Sequence, residues 1–171
     1  MARLAVENAW TRGAAAGLLA GVPWALVLSA GALLAGARAS EPFAALASAV
    51  PRLPAGAGGT LGLLLHLAVS AALGATWVGL AGRYLRPTAS AAGGVAAGLV
   101  AWMLGTWLLL PVFAPALRLL SEEMRVAWLA AHVAWGLTLG LASDALEPPE
   151  LLRAVPPFAR WLHARRRRAR Q

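Results

Sequence analysis

Apolar residues occur along this chain in four long blocks, at about 13–37, 61–81, 91–113 and 126–142. A helix needs about 20 apolar residues to cross the hydrocarbon core of a bilayer. No block contains a charged side chain, and Ser29 is the only hydroxyl of the first. Turn and cap residues separate the blocks: Gly58-Gly59-Thr60, Arg86-Pro87-Thr88 and Ser121-Glu122-Glu123. The last triplet is expected to open the fourth span, with a capping hydroxyl and carboxylates at the positive end of the helix dipole. The pattern predicts an all-α, integral membrane four-helix bundle that forms a single membrane domain over residues 1–171.

Two shorter segments are expected on the membrane surface. Ser40-Glu41-Pro42 is a helix-start signature, and Phe43, Leu46, Ala47 and Val50 follow at helical spacing. Beyond the fourth block, Glu147-Pro148-Pro149-Glu150 breaks the chain. Phe158, Trp161 and Leu162 then alternate with Arg160, Arg165 and Arg168, so 147–171 is expected to be a basic cytoplasmic tail. Its run Arg165, Arg166, Arg167, Arg168 with Arg170 suits anionic lipid. A solvated tail is the other reading.

Composition supports lipid as the solvent. Hydrophobic residues are 60% and charged residues 13%, with mean hydropathy +0.67. An ordinary soluble domain has about 45–50% and about 25% respectively. A soluble enzyme, a disordered chain and a free nucleic-acid-binding domain are thereby excluded. The net charge is +8, and all fifteen basic residues are Arg. With many Ala, Gly and Pro, that bias points to a GC-rich bacterial gene. There is no cysteine, hence no disulfide and no thiolate ligand.

Arginine placement gives the topology. Eleven Arg residues flank the ends that share a side with both termini and four flank the other ends. The positive-inside rule therefore puts both termini in the cytoplasm. Ala37-Arg38-Ala39 resembles a signal-peptidase site, and cleavage there would leave three spans. The preceding apolar run is longer than the roughly 7–15 residues of a signal core.

The two halves resemble each other. Ala15-Ala16-Gly17-Leu18-Leu19-Ala20 matches Ala96-Ala97-Gly98-Leu99-Val100-Ala101. His66-Leu67-Ala68 with Leu73-Gly74 matches His132-Val133-Ala134 with Leu139-Gly140 at the same spacing. Two tandem two-helix repeats are expected, related by an axis along the membrane normal.

Helices in lipid associate through close approach of small residues. The expected packing faces are Gly13, Gly17 and Gly21 in span one and Ser70 and Gly74 in span two. Span three offers Gly94 and Gly98, with Gly105 one heptad on, and span four offers Gly136 and Gly140. Trp77, Trp107 and Trp128 are expected in an interfacial belt. Trp24 and Trp102 fall deeper, where an indole N–H needs a partner or a cavity.

His66 and His132 lie at matching depths, and ionisable residues inside a membrane default to a functional hypothesis. Three readings stand. Each imidazole bonds a backbone carbonyl, Ser70, Thr106 or Thr138 across a helix seam. The pair binds haem b as axial ligands between the two spans. The pair belongs to a proton or solute relay. Two isolated histidines do not make a metal site. No P-loop, G-x-S-x-G or H-E-x-x-H is present, so no catalytic residue is nominated.

The stretch Gly98 to Pro111, GLVAWMLGTWLLLP, followed by His132-Val133-Ala134-Trp135-Gly136 and Leu139-Gly140, resembles small four-helix bacterial inner-membrane proteins of the YagU-like type. The resemblance implies a membrane protein with no assigned activity and adds no catalytic residue. The long loop 38–60 and the Arg-rich tail depart from that pattern. The function expected is non-enzymatic: an accessory, scaffold or assembly subunit of a larger membrane complex or homo-oligomer, with no cofactor and no nucleic-acid partner. The alternatives are a redox subunit holding haem b between His66 and His132, and a small oligomeric channel or transporter lined by the glycine faces.

Overall fold

The computed structural model describes residues 2–48, 50, 56–81, 87–113 and 115–146. Its elements are α1 (Ala2–Leu34), α2 (Glu41–Ala47), α3 (Gly58–Thr76), α4 (Pro87–Leu104), α5 (Leu110–Phe113), α6 (Pro115–Glu123) and α7 (Arg125–Ala145). A π-helical segment, Trp77–Ala81, continues α3, and another, Gly105–Leu109, joins α4 to α5. No strand occurs among the described residues. Four stretches are long and apolar enough to cross a membrane: Ala9–Leu34, Gly58–Leu80, Ala91–Phe113 and Arg125–Ala145. The expected all-α bundle is therefore present, with the architecture of a multi-pass membrane protein. The Arg-rich tail, including Arg165, Arg166, Arg167, Arg168 and Arg170, lies outside the described residues.

The first span ends earlier than the apolar run does. Gly36 adopts φ +79°. Its amide donates to the Leu33 carbonyl at 3.1 Å, and the Ala37 amide donates to that of Ala32 at 2.9 Å. This is a Schellman ending, which needs the left-handed conformation that glycine reaches without a Cβ penalty. At the other end α1 extends back past the apolar block and takes Arg12 into the helix. Nε and Nη1 of Arg12 are buried and have no hydrogen-bond partner.

The spans pack in the order α3, α1, α7, α4. Helix α1 uses two faces. On one, an added Cβ at Gly13 would press on the Gly74 carbonyl, and one at Gly17 would overlap that of Ser70. On the other, Ala16, Ala20, Trp24, Leu28 and Ala32 form a buried stripe at i, i+4 spacing. Gly31 extends that side onto Ala127 of α7. Helix α7 also has two faces, since Gly136 meets the Gly94 carbonyl of α4 while Trp128 meets Trp24 of α1. An added Cβ at Gly98 would overlap the His132 carbonyl, and one at Gly94 would crowd Gly140. All nine small residues expected to pack are in contact across a seam or buried. Gly105 is the exception to the wider reading: a Cβ there would meet nothing within 4 Å.

The outward faces are apolar too. Leu26 and Leu33 of α1 are more than half exposed, as are Leu108 and Val112 beyond α4. In lipid that exposure carries no hydrophobic penalty, which is why helices this apolar need no polar face.

The connections at one end of the bundle fold back over it. Helix α2 begins after Ser40, as its sequence signature predicts, although Ser40 makes no side-chain cap bond. The Glu41 carboxylate instead accepts from the Arg38 amide at 3.2 Å. The Phe43 backbone lies directly on Gly62 of α3. The second connection holds an element the pattern did not reveal, the amphipathic helix α6. Its Leu117 is buried in the core. Ser121, Glu122 and Glu123 close α6 and do not cap α7, whose N-cap position is Met124 with no side-chain cap bond. Glu122 instead accepts from Arg118 Nε at 3.1 Å.

One seam is not sealed. Helices α3 and α4 flank an apolar groove of about 660 Å³. Leu73, Trp77 and Leu80 form one wall, Gly93, Ala97 and Ala101 the other, and Trp135 of α7 the floor. Only 11% of the α4 span is buried, against 33% for α1 and for α7. The third span meets α7 closely at Gly94 and Gly98, and again further along through Thr106, which bonds Trp128, and the buried Leu110.

Gly17→Ala should destabilise the bundle by about 1–3 kcal/mol, the usual cost of overpacking. Gly105→Ala should be neutral or stabilising, because it fills open space and raises helix propensity. Unfolding in mixed detergent micelles compares the two; equal losses would contradict the packing described.

Candidate functional site: two histidines around Trp24

Trp24 sits in the middle of the buried α1 stripe, and three other elements bring side chains to it. His66 comes from α3, His132 and Trp128 from α7, and Phe43 from α2. The His66 ring stacks on Trp24 with centroids 4.0 Å apart and planes 20° from parallel. Trp24 meets His132 edge-on at 5.8 Å and Trp128 at 5.5 Å. Trp128 in turn lies 4.9 Å from His132. Edge-on and offset contacts of this kind suit the aromatic quadrupole.

Hydrogen bonding fixes which nitrogens carry protons. His66 Nε2 lies 3.1 Å from the Gly21 carbonyl, which can only accept, so Nε2 is the protonated nitrogen. The Ser70 hydroxyl lies 3.5 Å from the same atom, at the limit of a bond. His132 Nδ1 lies 2.8 Å from the Trp128 carbonyl and 3.4 Å from the Trp24 indole nitrogen. One nitrogen of a neutral ring cannot donate to the first and accept from the second. The 2.8 Å approach requires a proton between the two atoms, so Nδ1 donates to Trp128 and the indole contact is weak. Each imidazole therefore donates its N–H to a main-chain carbonyl, His66 across the α1–α3 seam and His132 one turn back along its own helix.

This arrangement bears on each chemical reading differently. Axial ligation of a haem needs two imidazoles facing one another across a flat gap. Trp24 packs on both rings, stacked on His66 and edge-on to His132, so a haem held by both would have to displace it. A proton relay needs groups that both accept and donate. His66 and His132 are not joined by hydrogen bonds: the Trp24 indole that stacks on His66 and the Trp128 indole that bonds Thr106 can only donate. Among the described residues no three His, Asp or Glu side chains cluster as metal ligands would. The site is a packed aromatic and imidazole core.

Two of the tryptophans differ from expectation. Trp128 is buried, not interfacial, and its indole donates to Thr106 Oγ1 at 2.9 Å. Its place four residues before His132, on one helix face, was the available signal. Phe43 also joins the cluster from a loop helix; its helical spacing was visible in the sequence but its partner was not. Trp107 is 69% exposed, as a belt residue would be. Trp77 and Trp102 have indole nitrogens that are buried without a hydrogen-bond partner.

Comparison of the chain with protein-family models, curated proteins and solved structures returns no match.

His66→Leu should leave the protein folded and cost about 0.6–1.7 kcal/mol, the range for hydrogen bonds between membrane helices. Haemin added to the purified chain should give no low-spin bis-imidazole spectrum. A spectrum of that kind, abolished by His66→Leu, would overturn the geometry given for Trp24.

Proposed function

We propose that this protein is a non-enzymatic accessory subunit, a scaffold or assembly factor for a larger complex in a bacterial inner membrane, with both termini in the cytoplasm. The observation that carries the reading is the unsealed groove between α3 and α4. Its walls have the chemistry of a helix seam. Gly93, Ala97 and Ala101 recur every four residues on the α4 wall. Small residues at that spacing let a second backbone approach closely.

The tandem repeat, part of the same proposal, explains the lining. In the alignment of the two halves, Ala97 and Ala101 correspond to Ala16 and Ala20, and Leu73 corresponds to Leu139. Ala16, Ala20 and Leu139 are fully buried in the core where α1 meets α7. Two helix pairs with like registers support the same alignment. Gly13 and Gly17 meet Gly74 and Ser70, as Gly94 and Gly98 meet Gly140 and Gly136. Residues equivalent to those of a closed helix seam thus line an open one. The occupant that fits is a transmembrane helix of a partner chain bearing its own small-residue face.

The other readings have less support. The glycine faces are in backbone contact within the chain, so they are not free to line a pore. Trp24 packs against both histidines, which counts against a haem held between them. The YagU-like resemblance carries no catalytic residue and accords with an accessory role.

The test is purification from native membranes in mild detergent. A partner chain should co-purify in fixed ratio, and Ala97→Phe with Ala101→Phe should reduce its recovery at least about tenfold. Leu108→Phe, on a lipid-facing position, should not. A wild-type chain that purifies alone, or a partner retained by the groove variant, would contradict the proposal. A second copy in the groove would appear as a doubled mass.

A further inference from the structure

A cavity of about 360 Å³ opens at the end of the bundle where α6 lies, lined by Trp102, Thr106, Trp107, Arg118, Glu122, Arg125 and Trp128. It is separate from the α3–α4 groove and from the histidine cluster. Its polar groups are mostly donors. Arg118 pairs with Glu122, and both charges are partly exposed. Arg125 makes no ion pair among the described residues and leaves the cavity with a positive surplus.

The hydroxyl of Thr106 marks the inner wall. In a helix a Ser or Thr hydroxyl ordinarily donates to a carbonyl one turn back. Thr76 does so to Ala72 at 2.9 Å, and Ser143 does so to Leu139 at 2.6 Å. Thr106 lies in the π-helical segment Gly105–Leu109 and accepts from Trp128 Nε1 instead. The residue is half-buried, and its own proton has no acceptor among the described residues. The indole N–H of Trp102, four residues earlier on the same wall, is buried and also lacks one. Buried donors without acceptors are few in folded proteins, and each calls for an explanation. Helix α7 starts beside the cavity without a side-chain cap, so its positive dipole end adds to the same field.

We infer that this cavity binds a phosphate group, with Arg125 and the Thr106 hydroxyl as its principal donors and the Trp102 N–H in the supporting wall. Phosphate is anionic, presents several acceptor oxygens and accepts charge-assisted bonds from guanidinium groups. Trp107, 69% exposed beside the cavity, offers an apolar surface along which an acyl chain can lie. The phosphate can belong to a phospholipid headgroup or arrive free from solution, and the experiment separates these sources.

The full-length chain in detergent is examined by native mass spectrometry with phosphatidylglycerol, diacylglycerol, glycerol phosphate or inorganic phosphate added in separate arms. One phosphatidylglycerol should be retained per chain, and diacylglycerol, which lacks the phosphate, should not. Arg125→Gln should weaken retention about tenfold, near 1.4 kcal/mol. Thr106→Val should weaken it about threefold to tenfold, and Arg125→Lys less than Arg125→Gln. Arg38→Gln, an exposed arginine outside the cavity, should change nothing. Binding of inorganic phosphate or glycerol phosphate with the same variant pattern would make the source soluble and uphold the site. Four results would overturn it: no phosphate compound bound, diacylglycerol bound equally well, Arg125→Gln without effect, or Arg38→Gln as damaging as Arg125→Gln.

Discussion

Helices surrounded by lipid gain nothing by hiding apolar side chains from their solvent, because the solvent is itself apolar. Their association depends on how closely two backbones can approach. Two seams of this protein are built on that constraint. Gly17 against Ser70 and Gly98 against the His132 carbonyl leave no room for even one methyl group. Without those approaches the α1–α3 and α4–α7 pairs would separate, and the buried stripe of α1 would lose the frame that holds it against α7.

The aromatic core follows from the same constraint. Between those two close pairs, the α1–α7 seam is filled by larger side chains, with Trp24, His66, Trp128 and His132 packed ring against ring beside Leu28 and Leu139. Each histidine donates a proton to a carbonyl that its neighbours expose, and each indole separates one polar group from the next. The cluster thus places each protonated imidazole nitrogen on a carbonyl within a buried interior. Among the places where packing is incomplete, the apolar groove between α3 and α4 and the donor-rich cavity beside α6 are the two on which the functional readings rest.

Much of the architecture was legible in the sequence because span length and small-residue spacing are local properties. The four spans, the helix after Ser40 and the faces carrying Gly13, Gly17, Gly94 and Gly98 could all be read from it. What depended on tertiary placement could not. Gly105 has the spacing of a packing residue, yet it faces open space while its neighbour Thr106 makes the contact with α7. Ser121-Glu122-Glu123 has the composition of a helix start but closes α6, because Pro115 begins a separate short helix ahead of it. Trp128 lies near the end of its span in sequence and is covered by Trp24 and Thr106 in space. The order of the spans was not legible either, since all four offer small residues and only the fold decides which faces meet.

The chain has no cysteine, so paired cysteines introduced into the full protein in its membrane report helix neighbours against a blank background. Gly31→Cys with Ala127→Cys probes α1 against α7, where an added Cβ at Gly31 would overlap that of Ala127 and a small shift of the helices brings the pair to disulfide spacing. Leu73→Cys with Ala97→Cys spans the groove. Under mild oxidation the first pair should form an intramolecular disulfide readily and the second should not. Rapid closure of the groove pair, with the α1–α7 pair left reduced, would contradict the order of helices and the unsealed seam on which this account rests.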